Sequence, residues 1–221
     1  MKIAILGGTA GLGYGLAKRL AAAGDEVVIG SRAAEKAEAA AAHVAEAAGS
    51  QKVTGGANAD VVGGADAVVV TVPFPGQAAL YKAIKEKMAP GTVVIDCNVP
   101  LASEFGGKPT RILGVWEGSA AQQAKGILGK DFPVASGFHT VMSAKLEDIA
   151  SSLDSDVLVC GDKDARAVAE QIVGKIKGAR YLDCGPLESA RFLESLTPLL
   201  IGINIRYKLN PGAGIKITGI S

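Results

Sequence analysis

The sequence predicts an α/β fold: a doubly wound parallel sheet, then a small C-terminal α/β extension that ends in a long apolar helix. Three observations carry this. Short apolar runs alternate with helix-length stretches along most of the chain. The first run, Lys2-Ile3-Ala4-Ile5-Leu6, breaks into the cluster Gly7-Gly8-Thr9-Ala10-Gly11-Leu12-Gly13 before a helical stretch and a second run, Glu26-Val27-Val28-Ile29. The segment from Leu187 onward is apolar on most faces.

Taken in order, strands are expected at 2–6, 26–30, 51–54, 67–72, 92–96 and 132–136, and helices at 12–23, 33–48, 57–63 and 77–88. Gly24 closes the first helix and Gly49 the second, since glycine enters left-handed backbone without steric cost. Residues 33–48 are mostly Ala, Glu and Lys, strong helix formers on a polar exterior. Segment 101–118, rich in Gly, Ser and Pro, reads as an irregular loop. A domain boundary is placed near residue 140, dividing 1–140 from 141–221. Beyond it come a strand at 156–160, a helix at 163–177 after Asp162, a strand at 180–184 and a helix at 187–208. Pro186 suits that last helix's first turn, and Pro198 should kink it. Leu193, Leu196, Leu199, Leu200, Ile201, Ile203 and Ile205 predict that it is buried, as a subunit interface or a wall under the active site. No internal repeat is visible.

Composition narrows the function classes. The 221 residues suffice to bury a real core, and 48% apolar with 20% charged residues is ordinary for an α/β enzyme. A net charge of +1 gives no electrostatic case for nucleic acid or a membrane surface. No signal peptide or membrane span is expected. Cys97, Cys160 and Cys184 are odd in number and lack C-x-x-C spacing, so they read as reduced thiols of a cytoplasmic protein. With two histidines in all, no metal site is expected.

Strand, glycine turn, helix and second strand together form the βαβ unit of a Rossmann dinucleotide site. Glycines let the backbone approach a pyrophosphate, and the first helical amides point at the anion with the helix dipole behind them. The G-x-G-x-x-G spacing runs Gly8, Ala10, Gly13, with Gly11 beside the substituted position. A tight turn in some other α/β fold is the alternative. An NAD site usually places Asp or Glu at the end of the second strand; here stand Gly30-Ser31-Arg32, with Lys36 one helical turn on. A guanidinium, an ammonium and a hydroxyl would hold a 2′-phosphate, which selects NADP. Otherwise Arg32 and Lys36 are solvated charges on a surface helix.

Ligands of an open parallel sheet sit over the carboxyl ends of its strands. The sequence places Thr71-Val72-Pro73-Phe74-Pro75-Gly76-Gln77, Cys97-Asn98-Val99-Pro100 and Ser136-Gly137-Phe138-His139-Thr140-Val141-Met142 there. These apolar surroundings with small polar accents suit a flat heteroaromatic ring held for hydride transfer, which needs alignment and water exclusion more than a nucleophile. His139 stands out: it either positions a carbonyl or hydroxyl of the second substrate or is a core histidine satisfied by backbone. Trp116 reads as packing or a lid rather than a stacking platform, and His43 as solvent-exposed.

The opening Leu-Gly-Gly-Thr-x-x-Leu-Gly, Gly30-Ser31-Arg32 with Lys36, Thr71-Val72-Pro73-Phe74, His139-Thr140, Val159-Cys160-Gly161-Asp162, Cys184-Gly185-Pro186-Leu187 and Glu194-Ser195-Leu196-Thr197-Pro198-Leu199 resemble the NADPH-dependent reductases of coenzyme F-420 (F420), an 8-hydroxy-5-deazaflavin. The resemblance spans nearly the whole chain, including Gly214-Ile215-Lys216. It implies reversible hydride transfer between C4 of the nicotinamide and C5 of the deazaflavin, stacked in a cleft between the Rossmann domain and the C-terminal part. By position, Thr9, Ala10, Gly11 and Leu12 would take the pyrophosphate, and Ser31, Arg32 and Lys36 the 2′-phosphate. Phe74, Gln77 and Val99 would flank the nicotinamide, with Ser143 and Ala213 nearby and His139 at the deazaflavin. Ala10-Gly11 reverses the family's common order, Phe74 stands where Trp is common, and loop 101–118 matches little. The apolar last helix leads to the expectation of a homodimer. The competing readings are an NADPH-dependent flavin or ferric reductase of the same fold, and a non-catalytic NADP sensor.

Overall fold

The computed structural model describes residues 1–220. In chain order the elements are β1 (Lys2–Leu6), α1 (Gly11–Ala22), β2 (Glu26–Ser31), α2 (Ala34–Ala48), β3 (Val53–Ala57), β4 (Ala67–Val70), α3 (Phe74–Ile84), β5 (Val93–Asp96), α4 (Ala120–Leu128), β6 (Val134–Gly137), α5 (Ser143–Glu147), β7 (Ser155–Gly161), α6 (Lys163–Gly174), β8 (Ala179–Asp183) and α7 (Ala190–Tyr207). The strands form one eight-stranded sheet in the order β3-β2-β1-β4-β5-β6-β7-β8. Buried apolar side chains cover both of its faces, with Ile3, Ile5, Leu16 and Ile95 on one and Ala4, Leu6, Tyr81 and Ile84 on the other. The central strands β1, β4 and β5 are mostly apolar because helices cover both sides.

The doubly wound architecture is as expected, with four differences in detail. First, the sheet is not parallel throughout: β7 runs antiparallel to β6, pairing Ser136 with Cys160, and carries the sheet unbroken across the boundary expected near residue 140. Second, β3 lies later than expected, through Gly55-Gly56. A Cβ at Gly55 would stand 2.3 Å from the Ala37 carbonyl oxygen of α2, so close packing demands the glycines that make this strand look like a loop. Third, no helix forms at 57–63; a single turn with Asp60 and Val61 amides on the Ala57 carbonyl precedes Gly63-Gly64. Fourth, α4 and α5 went unforeseen. Ser119 caps α4 by accepting from the Gln122 amide at 3.1 Å, a Ser-x-x-Gln signal legible in the sequence.

The long apolar helix expected at 187–208 is α7, preceded by a short helical turn at Leu187–Ser189. It extends through Pro198, and its inner side buries Leu193, Glu194, Pro198 and Leu200. Its outer side leaves Phe192, Leu199, Ile205 and Tyr207 more than half exposed. Among the described residues nothing on that side covers them, so α7 is only half buried.

Candidate active site

Two cavities, of about 760 and 300 Å³, share Leu12, Thr71, Val72 and Pro73 and make one cleft over the carboxyl ends of β1, β2, β4 and β5. At its centre lies the glycine turn. The Gly7 and Gly8 amides both donate to the Gly30 carbonyl, at 3.0 and 3.3 Å. A Cβ at Gly13 would fall 2.4 Å from Thr71 Oγ1, which itself donates to the Leu6 carbonyl at 2.9 Å. Ala10 is in ordinary extended backbone, and Gly11 takes the left-handed conformation at φ 56°. The reversed Ala10-Gly11 order therefore puts glycine where the turn requires it. Ala10 offers no side-chain cap, so the first amides of α1 have no side-chain acceptor, as a pyrophosphate site requires.

The larger cavity is lined by Thr9, Ala10, Gly11, Leu12, Ser31 and Arg32, with Pro75, Ala79 and Leu80 opposite. Arg32 is exposed and forms no ion pair among the described residues, so its guanidinium is available to an anion. Lys36 is exposed on the first turn of α2, outside the lining. Asn58 is a lining residue that sequence reasoning missed. Its buried Oδ1 has no donor and lies 2.7 Å from where a Gly30 Cβ would stand, so Gly30 is bare to admit it. No signal in the sequence marked it.

The smaller cavity brings together Phe74, Val99, His139 and Ser143, with Asn98, Glu104 and Thr197. Ser143 reaches it because α5 docks on α1: Gly15 is bare against Leu146, and the Arg19 guanidinium donates to the carbonyls of Lys145, Leu146 and Asp148. Leu101 and Glu104 place loop 101–118 at the mouth, whereas Trp116 is fully exposed. His139 follows Phe138, whose φ of 67° is a conformation that costs about 1 kcal/mol or more for a bulky residue. The His139 Nε2 is 2.8 Å from Ser136 Oγ, its carbonyl accepts from Thr197 Oγ1 at 2.8 Å, and its Nδ1 is buried without a partner. Burial pushes the ring down to about 4, so it is a neutral imidazole near neutrality.

Gln77 and Ala213 lie outside the lining. Because α3 begins at Phe74, Gln77 falls one turn in, on the face packed over β5. It is fully buried and donates from Nε2 to Asp96 Oδ2 at 2.7 Å and to the Ala120 carbonyl at 3.1 Å. Ala213 is held behind the wall, its amide donating to Asn204 Oδ1 at 2.7 Å, while a Cβ on neighbouring Gly212 would stand 3.3 Å from Met142 Sδ. Beneath the cleft, Glu194 of α7 accepts from the Ala120 and Ala121 amides at 3.0 and 3.2 Å, and burial pushes its carboxyl up to about 8. No group of three metal-ligand residues occurs among the described residues, and no helix there is long and apolar enough to cross a membrane.

Comparison with known proteins gives a consistent answer. Residues 2–100 match the family model described as NADP oxidoreductase, coenzyme F420-dependent. The chain is 42% identical to the F420-dependent NADP reductase of Methanocaldococcus jannaschii, over 100% of this chain and 99% of that one. It is 44% identical to the enzyme of the same name from Methanothermobacter marburgensis, again over 100% and 99%. A crystal structure assigned as an F420-dependent NADP-reductase from Arthrobacter sp. FB24 superposes with a TM-score of 0.80 at 27% identity, covering 99% of each chain. The 3-hydroxyisobutyrate dehydrogenase of Mycobacterium tuberculosis shares the fold, with a TM-score of 0.67 at 17% identity over 93% of this chain and 62% of that one.

Proposed function

The chain belongs to the F420-dependent NADP reductase family, and we propose that its two joined cavities seat the two coenzymes of that reaction. It is an oxidoreductase that transfers hydride between NADP(H) and the deazaflavin F420. The larger cavity holds the nucleotide: the uncapped amides after Ala10 take the pyrophosphate, and Ser31 and Arg32 take the 2′-phosphate. The observation that carries this reading is the junction of the cavities at Leu12, Thr71, Val72 and Pro73. A dinucleotide lying over the glycine turn thereby delivers its nicotinamide into the apolar slot of Phe74 and Val99, beside His139.

Hydride passes directly between carbon atoms of the two coenzymes, so the protein's work is to bind, align and exclude water. Val99, Phe74 and Leu12 supply the dry walls, and neutral His139 stands where the deazaflavin would lie. Lys36, Gln77, Ser143 and Ala213 act at or behind the rim: Gln77 through Asp96, Ala213 through the tail that backs Met142. Residues 1–140 serve the nucleotide, and 141–221 contribute to the cleft of the second coenzyme and to dimerisation. The uncovered apolar side of α7 supports a homodimer, and three cysteines without a disulfide support a cytoplasmic location.

The test is spectroscopic. Adding NADPH to protein and F420 should bleach the visible band of the deazaflavin. Turnover only with FMN or FAD would favour a flavin reductase, and tight NADP binding without turnover of either a sensor.

A further inference from the structure

Asp96 is a buried group to which hydride transfer alone gives no role. It ends β5 with no exposure. Its Oδ1 accepts from the Asn98 amide at 3.0 Å, and its Oδ2 from Tyr81 Oη at 2.6 Å, Gln77 Nε2 at 2.7 Å and Asn98 Nδ2 at 2.9 Å. Burial pushes the Asp96 carboxyl above the ordinary carboxylate range, and the four donors oppose that rise by stabilising the ionised form and leaving little room for a proton. Among the described residues no cation forms an ion pair with it. Burying an unpaired anion is costly, and neutral residues of similar shape would join α3 to β5 at less expense. The titratable neighbours carry no compensating charge near neutrality. Burial pushes the Tyr81 phenol and the Cys97 thiol up, Glu194 up to about 8 and His139 down to about 4. Asn98, bonded twice to Asp96, lines the smaller cavity, so the negative charge lies one hydrogen bond behind that cavity's wall.

We propose that Asp96 is a fixed negative charge that favours the oxidised, cationic nicotinamide over the reduced, neutral one, and so sets the balance of the bound NADP couple; this rests on the nucleotide assignment above. Loss of hydride with its electron pair from C4 turns the neutral ring into a cation, while the acceptor gains that hydride at C5 and a proton from solvent. An anion behind a dry wall stabilises the cation and leaves the neutral form nearly untouched. Asp96 thereby acts through space and through the Asn98 amide that it orients.

Titration calorimetry of the full chain with NADP and with NADPH tests this, comparing wild type, Asp96→Asn and Tyr81→Phe. In Asp96→Asn the affinity for NADP should fall about tenfold or more relative to that for NADPH. Tyr81→Phe keeps the charge and should leave the ratio unchanged. An unchanged ratio in folded Asp96→Asn, equal weakening of both nucleotides, or the same ratio shift in Tyr81→Phe overturns the proposal while the nucleotide site stands. Absence of binding to wild type overturns both. Independently of any variant, the side-chain carboxyl carbon shift of Asp96 in the wild-type complexes should stay at its ionised value at neutral pH; a protonated value with either nucleotide overturns the proposal.

Discussion

Arg32 is the residue whose removal speaks most directly to nucleotide choice. It is exposed at the end of β2 and free of ion pairs among the described residues. Arg32→Ala should weaken NADPH binding by about 1.5–3 kcal/mol, the scale of a charged hydrogen bond, and barely change NADH binding, as read by calorimetry. Gly13→Ala should abolish binding of both, because its Cβ would stand 2.4 Å from Thr71 Oγ1 and 2.9 Å from the Gly8 Cα at the centre of the turn. His139 makes a separate prediction. Burial holds its pKa at about 4 against 6.5 for the free side chain, so the unfolded chain binds more protons in between. Stability should therefore fall as pH drops from about 6.5 to about 4, and His139→Gln should flatten that limb of a melting-temperature profile. The place of Thr9, Arg32 and His139 on the cleft lining was legible in the sequence, because motif and strand-end position put them there. Asn58 and Asp96 were not, because unmet or over-met hydrogen bonds appear only once chain partners are assigned.

At the scale of elements, α4 and α7 are joined by one carboxyl group. Glu194 replaces an anion at the α4 N-terminus, where two amides and the helix dipole meet it. Its folded value of about 8 lies above the 4.5 of the free side chain, so the stability it contributes is full in acid and declines as pH rises through about 8. Glu194→Gln should remove most of that decline between about pH 5 and 8, with Tm against pH as the readout. Strands β1, β2, β4 and β5 were readable from short, mostly apolar runs. The glycine strand β3 was not, since a propensity scale counts against glycine wherever it stands and cannot see that α2 lies on top of it.

At the scale of the whole molecule, the outer side of α7 is left uncovered by the described residues. Phe192, Leu199, Ile205 and Tyr207 line the outer side of α7, 57–68% exposed. A second copy packed there would bury them, and Leu199→Arg should turn a dimer into a monomer in analytical ultracentrifugation; a wild-type monomer would refute the expectation. The sequence alone determined the βαβ unit that opens this chain: first strand, bare turn, helix and second strand with its cationic end. Those features are local, written in residues adjacent along the chain, and local sterics and charge dictate them. Only the tertiary structure decided that β7 joins the same sheet in the opposite direction, that Gln77 turns inward to Asp96, and that α7 keeps one side free. These are long-range pairings, and their free energy depends on which distant surfaces meet, a quantity that no stretch of sequence carries by itself.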